Sequence, residues 1–145
     1  MNSARGSLLA LVVIAACILA LYSRSALLAT GSPLFVLQLL AIVLMVWARI
    51  TFGMRSFHAA ANPTEGGLVT TGPYALVRHP IYAAILLFIW PGIIVRPSLL
   101  GVALGTLASA AVGVRIIAEE KLVVARYPEY AAYAAKTRRL IPGLY

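Results

Sequence analysis

The chain has 145 residues, 62% of them hydrophobic and 11% charged, with a net charge of +8 and a mean hydropathy of +0.95. That composition excludes a water-soluble globule and fits a single integral membrane domain over residues 1–145. The basic balance invites a nucleic-acid reading, but the charge is spread along the chain rather than gathered in one patch, so no nucleic-acid partner is expected.

Four segments are long enough, or nearly so, to cross a bilayer, which takes about 20 apolar residues. The first, Ser7–Tyr22, is marginal and reaches full length only if it runs past Arg24 to Leu28. Arg5 ahead of it also fits a secretory signal peptide, but removing this run leaves three spans, the wrong parity for the charge pattern below. The lone Cys17 inside it has no cysteine partner for a disulfide or a metal site. The second span is Pro33–Gly53.

The longest polar stretch between spans follows, Met54–Gly72. Asn62-Pro63-Thr64 and Gly66-Gly67 mark turns there, and Leu68-Val69-Thr70-Thr71 reads as a short extended piece. The apolar run Ile81–Val95 supplies 15 residues before Arg96, so a full third span must begin near Leu76. That draws Arg78 and His79 into the bilayer edge, where ionisable groups are costly and are functional candidates. Pro80 and Pro91 interrupt the span; Pro91 is expected to serve packing and Pro80 to shape a site.

The fourth span is Ser98–Ala118, after which the apolar pattern dissolves into Glu119-Glu120-Lys121. Pro128 suits the first turn of a further helix, Pro128–Arg139. Tyr127, Tyr130 and Tyr133 would lie along one stripe of it, either at headgroup depth or as a flap over a site. Short links imply antiparallel neighbours. The expected fold is all-α: a polytopic bundle of about four transmembrane helices with a C-terminal cytosolic or interfacial helix. Of the Lys and Arg residues, 10 fall on the side of the termini and 2, Arg24 and Arg96, on the other. The positive-inside rule then puts both termini in the cytosol, and membrane lipids of the anionic leaflet absorb the remaining basicity.

His79 stands beside Arg78, three residues before Tyr82 and five after Tyr74. These side chains either line a flat or cationic ligand, or His79 is a hydrogen-bonded structural group. No metal is expected: His58 is the other histidine, and neither HxxE nor HxxxH spacing occurs. Arg115 and Glu119, four apart, share a helical face. They form an internal ion pair at the membrane edge, or each holds one end of a charged ligand pair. Glu120 lies about 100° further round the helix, so Glu119 is the one expected to face a site with Arg115. No phosphate loop, nucleophile elbow or dinucleotide fingerprint is present.

Leu68-Val69-Thr70-Thr71-Gly72-Pro73-Tyr74, Arg78-His79-Pro80-Ile81-Tyr82, Arg115 with Glu119-Glu120, and Tyr130-Ala131-Ala132-Tyr133 ending in Arg139-Leu140-Ile141-Pro142 resemble the isoprenylcysteine carboxyl methyltransferase family. The wider group takes in phospholipid N-methyltransferases. The resemblance runs over residues 66–142, about half the chain. It implies S-adenosylmethionine as methyl donor, held between the cytosolic ends of the last spans and the C-terminal helix. Donor contacts would fall on Gly66, Gly67, Leu68, Val69, Tyr74, His79, Pro80, Ile81, Tyr82 and Glu119. Arg115 matches a position linked to the methyl acceptor, which makes Arg115 and His79 the candidate catalytic residues. Gly66 stands where eukaryotic members often carry a side chain, so backbone contacts would serve there. The chain is shorter than those members, and the acceptor is expected to be a lipophilic small molecule or lipid arriving from the bilayer.

Methyl transfer from a sulfonium is an in-line displacement that needs alignment and a dry site. A carboxylate acceptor is already ionised, needs no base, and suits bidentate binding by Arg115. The nearest alternative is an N-methyltransferase for amine-bearing phospholipids, with His79 as base. An NADPH-dependent membrane reductase and a non-enzymatic scaffold are the remaining readings. Alanine-rich spans and the preference for Arg over Lys suggest a bacterial inner membrane.

Overall fold

The computed structural model of the chain describes residues 3–53 and 67–144, and the regular structure among them is helical. Helix α1 spans Ser3–Ser23, α2 Phe35–Phe52, α3 Pro80–Val95, α4 Leu99–Arg126 and α5 Tyr130–Lys136, with a short 3₁₀ turn at Gly72–Ala75. Helices α1 (from Arg5), α2 and α4 are long and apolar enough to cross a membrane, and α3 is a shorter apolar helix.

The first helix gains its length at its N-terminal end and stops at Ser23 rather than running on to Leu28. Ser25 takes a left-handed φ of 54°, and the amides of Ser25 and Ala26 close on Tyr22 O and Leu21 O, each at 2.9 Å. This paired closure satisfies the last carbonyls of a helix and ends it. At the start of α4, Ser98 Oγ accepts from the Gly101 amide at 3.0 Å, the usual serine N-cap.

Helix α3 begins four residues later than the hydropathy suggests, and the reason lies far away in the chain. Val77 pairs with Arg138 as a parallel bridge. The Arg78 amide donates to Arg138 O at 2.7 Å and the His79 amide to Arg139 O at 3.0 Å. The residue before a proline also disfavours helical geometry, and His79 sits at φ −127°, ψ 60°. Pro80 is therefore the first residue of the helix rather than a kink within it. With 16 residues, α3 is about 24 Å long, short of a hydrocarbon core of about 30 Å. Helix α4 instead continues unbroken past Glu119-Glu120 to Arg126. The C-terminal helix is confined to Tyr130–Lys136, and Tyr127 lies in the extended link before it, off the stripe of Tyr130 and Tyr133.

Helix α1 packs along α4, α2 packs along α3, and α3 meets α4. One cluster joins Cys17 and Leu21 to Ile89, Ile93 and Ala108, and a second joins Ala10 and Ile14 to Tyr82, Val112 and Ile116. Gly92 lets the link after α1 lie directly on α3, since a Cβ there would stand 2.1 Å from Leu27 O. Pro91 removes the amide that would serve the Leu87 carbonyl. One residue on, buried Gln38 of α2 donates to Phe88 O and to Leu27 O, both at 2.7 Å, and accepts from the Ala29 amide at 2.8 Å. At the same end of the bundle, Arg96 Nη1 caps Ser25 O at 2.5 Å and Leu28 O at 2.8 Å. The links α1–α2 and α3–α4 thus meet at one end, and the helices alternate in direction.

Candidate active site

At the other end, the start of α3 and the far part of α4 bring their polar groups together. Arg115 is 5% exposed and its guanidinium binds groups on three helices. Nε donates to Tyr82 Oη at 2.6 Å, Nη1 to Ser7 O of α1 at 3.0 Å, and Nη2 to Glu119 Oε1 at 3.1 Å. Tyr82 Oη in turn donates to Glu119 Oε1. The arginine also lies 5.7 Å from the Tyr82 ring centre, within cation–π range. Glu119 is thus fixed through Oε1, while its Oε2 faces His79 Nδ1 at 3.9 Å and its side chain is 23% exposed.

Glu120, one residue on, gathers a second set. Its Oε1 lies 3.0 Å from Arg78 Nε, 3.4 Å from His79 Nε2 and 3.1 Å from Tyr130 Oη. Its Oε2 accepts from Arg139 Nε at 3.0 Å and Nη2 at 2.8 Å. Arg78 Nη1 reaches on to Ala134 O at 3.0 Å and Thr137 O at 2.5 Å, capping the carbonyl end of α5, where a cation is favoured. The two glutamates therefore face different partners, and the His79 ring stands between them.

Tyr74 is buried in the 3₁₀ turn, with its ring 5.5 Å from Phe52 at the end of α2. Its carbonyl accepts from Tyr133 Oη at 2.6 Å. Burial pushes the Tyr74 phenol above its ordinary pKa, helped by Tyr133 and by the charge of Glu119, while Arg49 opposes the shift. Burial likewise raises Tyr130, helped by Glu120.

Of the residues singled out from sequence, Tyr82, Arg115, Glu119 and His79 come together directly. Pro80 is buried and Ile81 half-buried at the first turn of α3. Gly67, Leu68 and Val69 lead into the turn that carries Tyr74; Gly67 is exposed with φ 83°, Leu68 and Val69 half-buried. Gly66 lies outside the described residues. Tyr130 joins the cluster as the flap alternative has it, whereas Glu120, Arg139 and the Ser7 carbonyl are additions to the expected site residues. Among the described residues, no group of three or more His, Cys, Asp or Glu is placed to hold a metal ion.

Among the described residues, an all-helical fold with three membrane-length helices and a polar cluster at one end of the bundle defines a multi-pass membrane protein. Residues 26–130 match the family described as phospholipid methyltransferase, and the chain belongs to that family, which is related to the isoprenylcysteine carboxyl methyltransferases. The chain is also similar to the cobalt-zinc-cadmium resistance protein CzcN of Cupriavidus metallidurans, at 38% identity over 78 residues. That match covers 53% of this chain and 36% of the relative, so the chain spans about a third of the length of the curated relative it matches. No solved structure matches the chain.

Proposed function

We propose that this chain transfers a methyl group from S-adenosylmethionine to a lipophilic acceptor that reaches the site from the bilayer. The observation that carries this is the state of Glu119: one oxygen is held by Tyr82 and Arg115, the other is turned toward His79, and the side chain is partly exposed. A carboxylate fixed in this way suits the ammonium group of a cationic donor. The rings of His79 and Tyr82, with centres 5.8 Å apart, supply faces for a flat base or a sulfonium. The residues present therefore fit this donor. When bound, it supplies a methyl group made electrophilic by the positive sulfur. The chain's part is to orient, through Glu119, His79 and Tyr82, and to exclude water, through the buried start of α3.

Arg115 bears on the acceptor. A carboxylate anchored on it would have to displace Tyr82, Ser7 O or Glu119 from a guanidinium that is nearly fully buried. That favours an acceptor needing no arginine, an amine-bearing phospholipid headgroup. Such an amine must lose a proton before attack. His79 is placed to take it, with carboxylates near both ring nitrogens to balance the charge it gains. The charge asymmetry supports a cytosolic site with both termini on the same side of a bacterial inner membrane.

Calorimetric titration of the detergent-solubilised protein with S-adenosylmethionine, S-adenosylhomocysteine and NADPH tests the donor. Binding of the first two alone is expected; binding of NADPH alone, or of none, overturns the reading. Methyl-labelled lipid extracts then separate the acceptors, since methyl esters release methanol in mild base and N-methyl groups do not. Base-stable label is expected, and base-labile label restores the carboxylate acceptor.

A further inference from the structure

We propose that Glu120 is a positioning residue: it clasps the C-terminal segment Tyr130–Leu140 onto the Arg78-His79 turn, and that clasp sets donor affinity without Glu120 touching the donor. This rests on the donor reading above. The segment's packing against the buried clusters of the bundle comes from Leu140, beside Tyr82 and Ile116. Its helix α5 has 7 residues, too few to be stable alone. Ala131, Ala132, Ala135, Lys136 and Arg138 are exposed, while Tyr130 and Thr137 are buried.

The attachment is instead mainly polar, and Glu120 is the one side chain in it that binds both the segment and the turn through several partners at once. Glu120 binds Arg139 and Tyr130 from the segment and Arg78 and His79 from the turn. Its side chain is 13% exposed and those of Arg78 and His79 12% and 11%, so these pairings are screened little by water, while Arg139 is 35% exposed. The same turn gives its Arg78 and His79 amides to the carbonyls of Arg138 and Arg139. Tyr133 bonds the Tyr74 carbonyl at 2.6 Å. The clasp therefore fixes the main chain that carries His79, whose Nδ1 faces Glu119 Oε2 at 3.9 Å. Neutralising Glu120 leaves two guanidinium groups facing each other across a weakened acceptor, and the segment should lift.

Two measurements on the full chain decide this. Glu120→Gln is expected to speed amide exchange about tenfold at residues 77–79 and 137–140 while the amides of α1 and α2 stay protected. It should raise the KM for S-adenosylmethionine about tenfold with kcat changed far less. Arg139→Gln should reproduce both effects and Arg139→Lys should recover most of the loss, because the contact is charge-assisted. Unchanged exchange at 77–79, or exchange rising equally throughout the bundle, overturns the clasp. A lost kcat at unchanged KM overturns it too, since Glu120 would then act in the chemistry. If the wild-type chain binds no S-adenosylmethionine, the donor reading fails while the exchange data still decide whether Glu120 holds the segment.

Discussion

Tyr82 Oη accepts from Arg115 Nε at 2.6 Å and donates to Glu119 Oε1, so one phenol oxygen stands between the members of an ion pair. Arginine and glutamate on α4 are four residues apart and would meet anyway; the tyrosine ties the pair to α3. The cationic charge of Arg115 is thereby spent on fixing Glu119, and only one glutamate oxygen is left for a ligand.

Removing that phenol tests the tie. Tyr82→Phe leaves Arg115 Nε without its acceptor in a buried setting, which costs about 1–3 kcal/mol. Thermal unfolding in detergent should show a lower midpoint, and donor affinity should fall because Glu119 is held by one bond fewer. A Tyr82→Phe protein with wild-type stability and wild-type donor affinity would show that the phenol holds nothing.

Glu119→Gln separates the two glutamates. Loss of the charge-assisted contact to the donor should weaken S-adenosylmethionine binding by about 1.5–3 kcal/mol in calorimetry. The amide exchange of residues 77–79 should stay as in the wild type, because the Val77 amide is held by Pro73 O and those of Arg78 and His79 by the Arg138 and Arg139 carbonyls. Loosened exchange there with intact donor affinity would reverse the assignments of Glu119 and Glu120.

Much of the fold could be read from hydropathy alone, since apolar runs of bilayer length leave little choice but helices. The start of α3 could not. It depends on the Arg78 and His79 amides being taken by carbonyls about 60 residues away, a contact with no local signature. The Arg115–Glu119 pair was visible as helical spacing. The Glu120 hub was not, because its partners are 42 and 41 residues earlier and 10 and 19 later. Adjacent glutamates were expected to divide into one site residue and one bystander; instead α4 runs on past both, and two different walls close on them. Gln38 did leave a signal, as the polar residue in the otherwise apolar stretch Pro33–Ala48, where an unsatisfied amide is costly.

The docking of Tyr133 predicts a pH dependence. Burial pushes its phenol up to about 12, opposed by Arg78 and by its hydrogen bond with Thr137. The folded value thus exceeds the unfolded value of about 10. A raised value means that the neutral phenol's contribution is fully present below pH 10 or so and is lost as pH rises through about 12. Amide exchange at residues 137–140, corrected for its intrinsic pH dependence, should show the segment loosening in that window. Tyr133→Phe should loosen it at neutral pH and flatten the transition. A transition unchanged in Tyr133→Phe would assign it to another group.

Gln38 offers a last test, remote from the site and aimed at the frame that holds it. Its side chain satisfies the Leu27 and Phe88 carbonyls and the Ala29 amide, all inside the bundle. Gln38→Leu keeps the volume but leaves the Ala29 amide and the Leu27 carbonyl without that partner, at about 1–3 kcal/mol for each group stranded. The α1–α2 link should then separate from α3, and thermal stability in detergent should drop by more than Tyr82→Phe causes. Gly92→Ala should act on the same contact from the opposite side, because its Cβ would meet Leu27 O at 2.1 Å and overpacking against main chain forces a backbone shift. The two losses should be less than additive, since each alone already parts the link from the helix. Fully additive losses would mean that Gln38 and Gly92 hold separate structures.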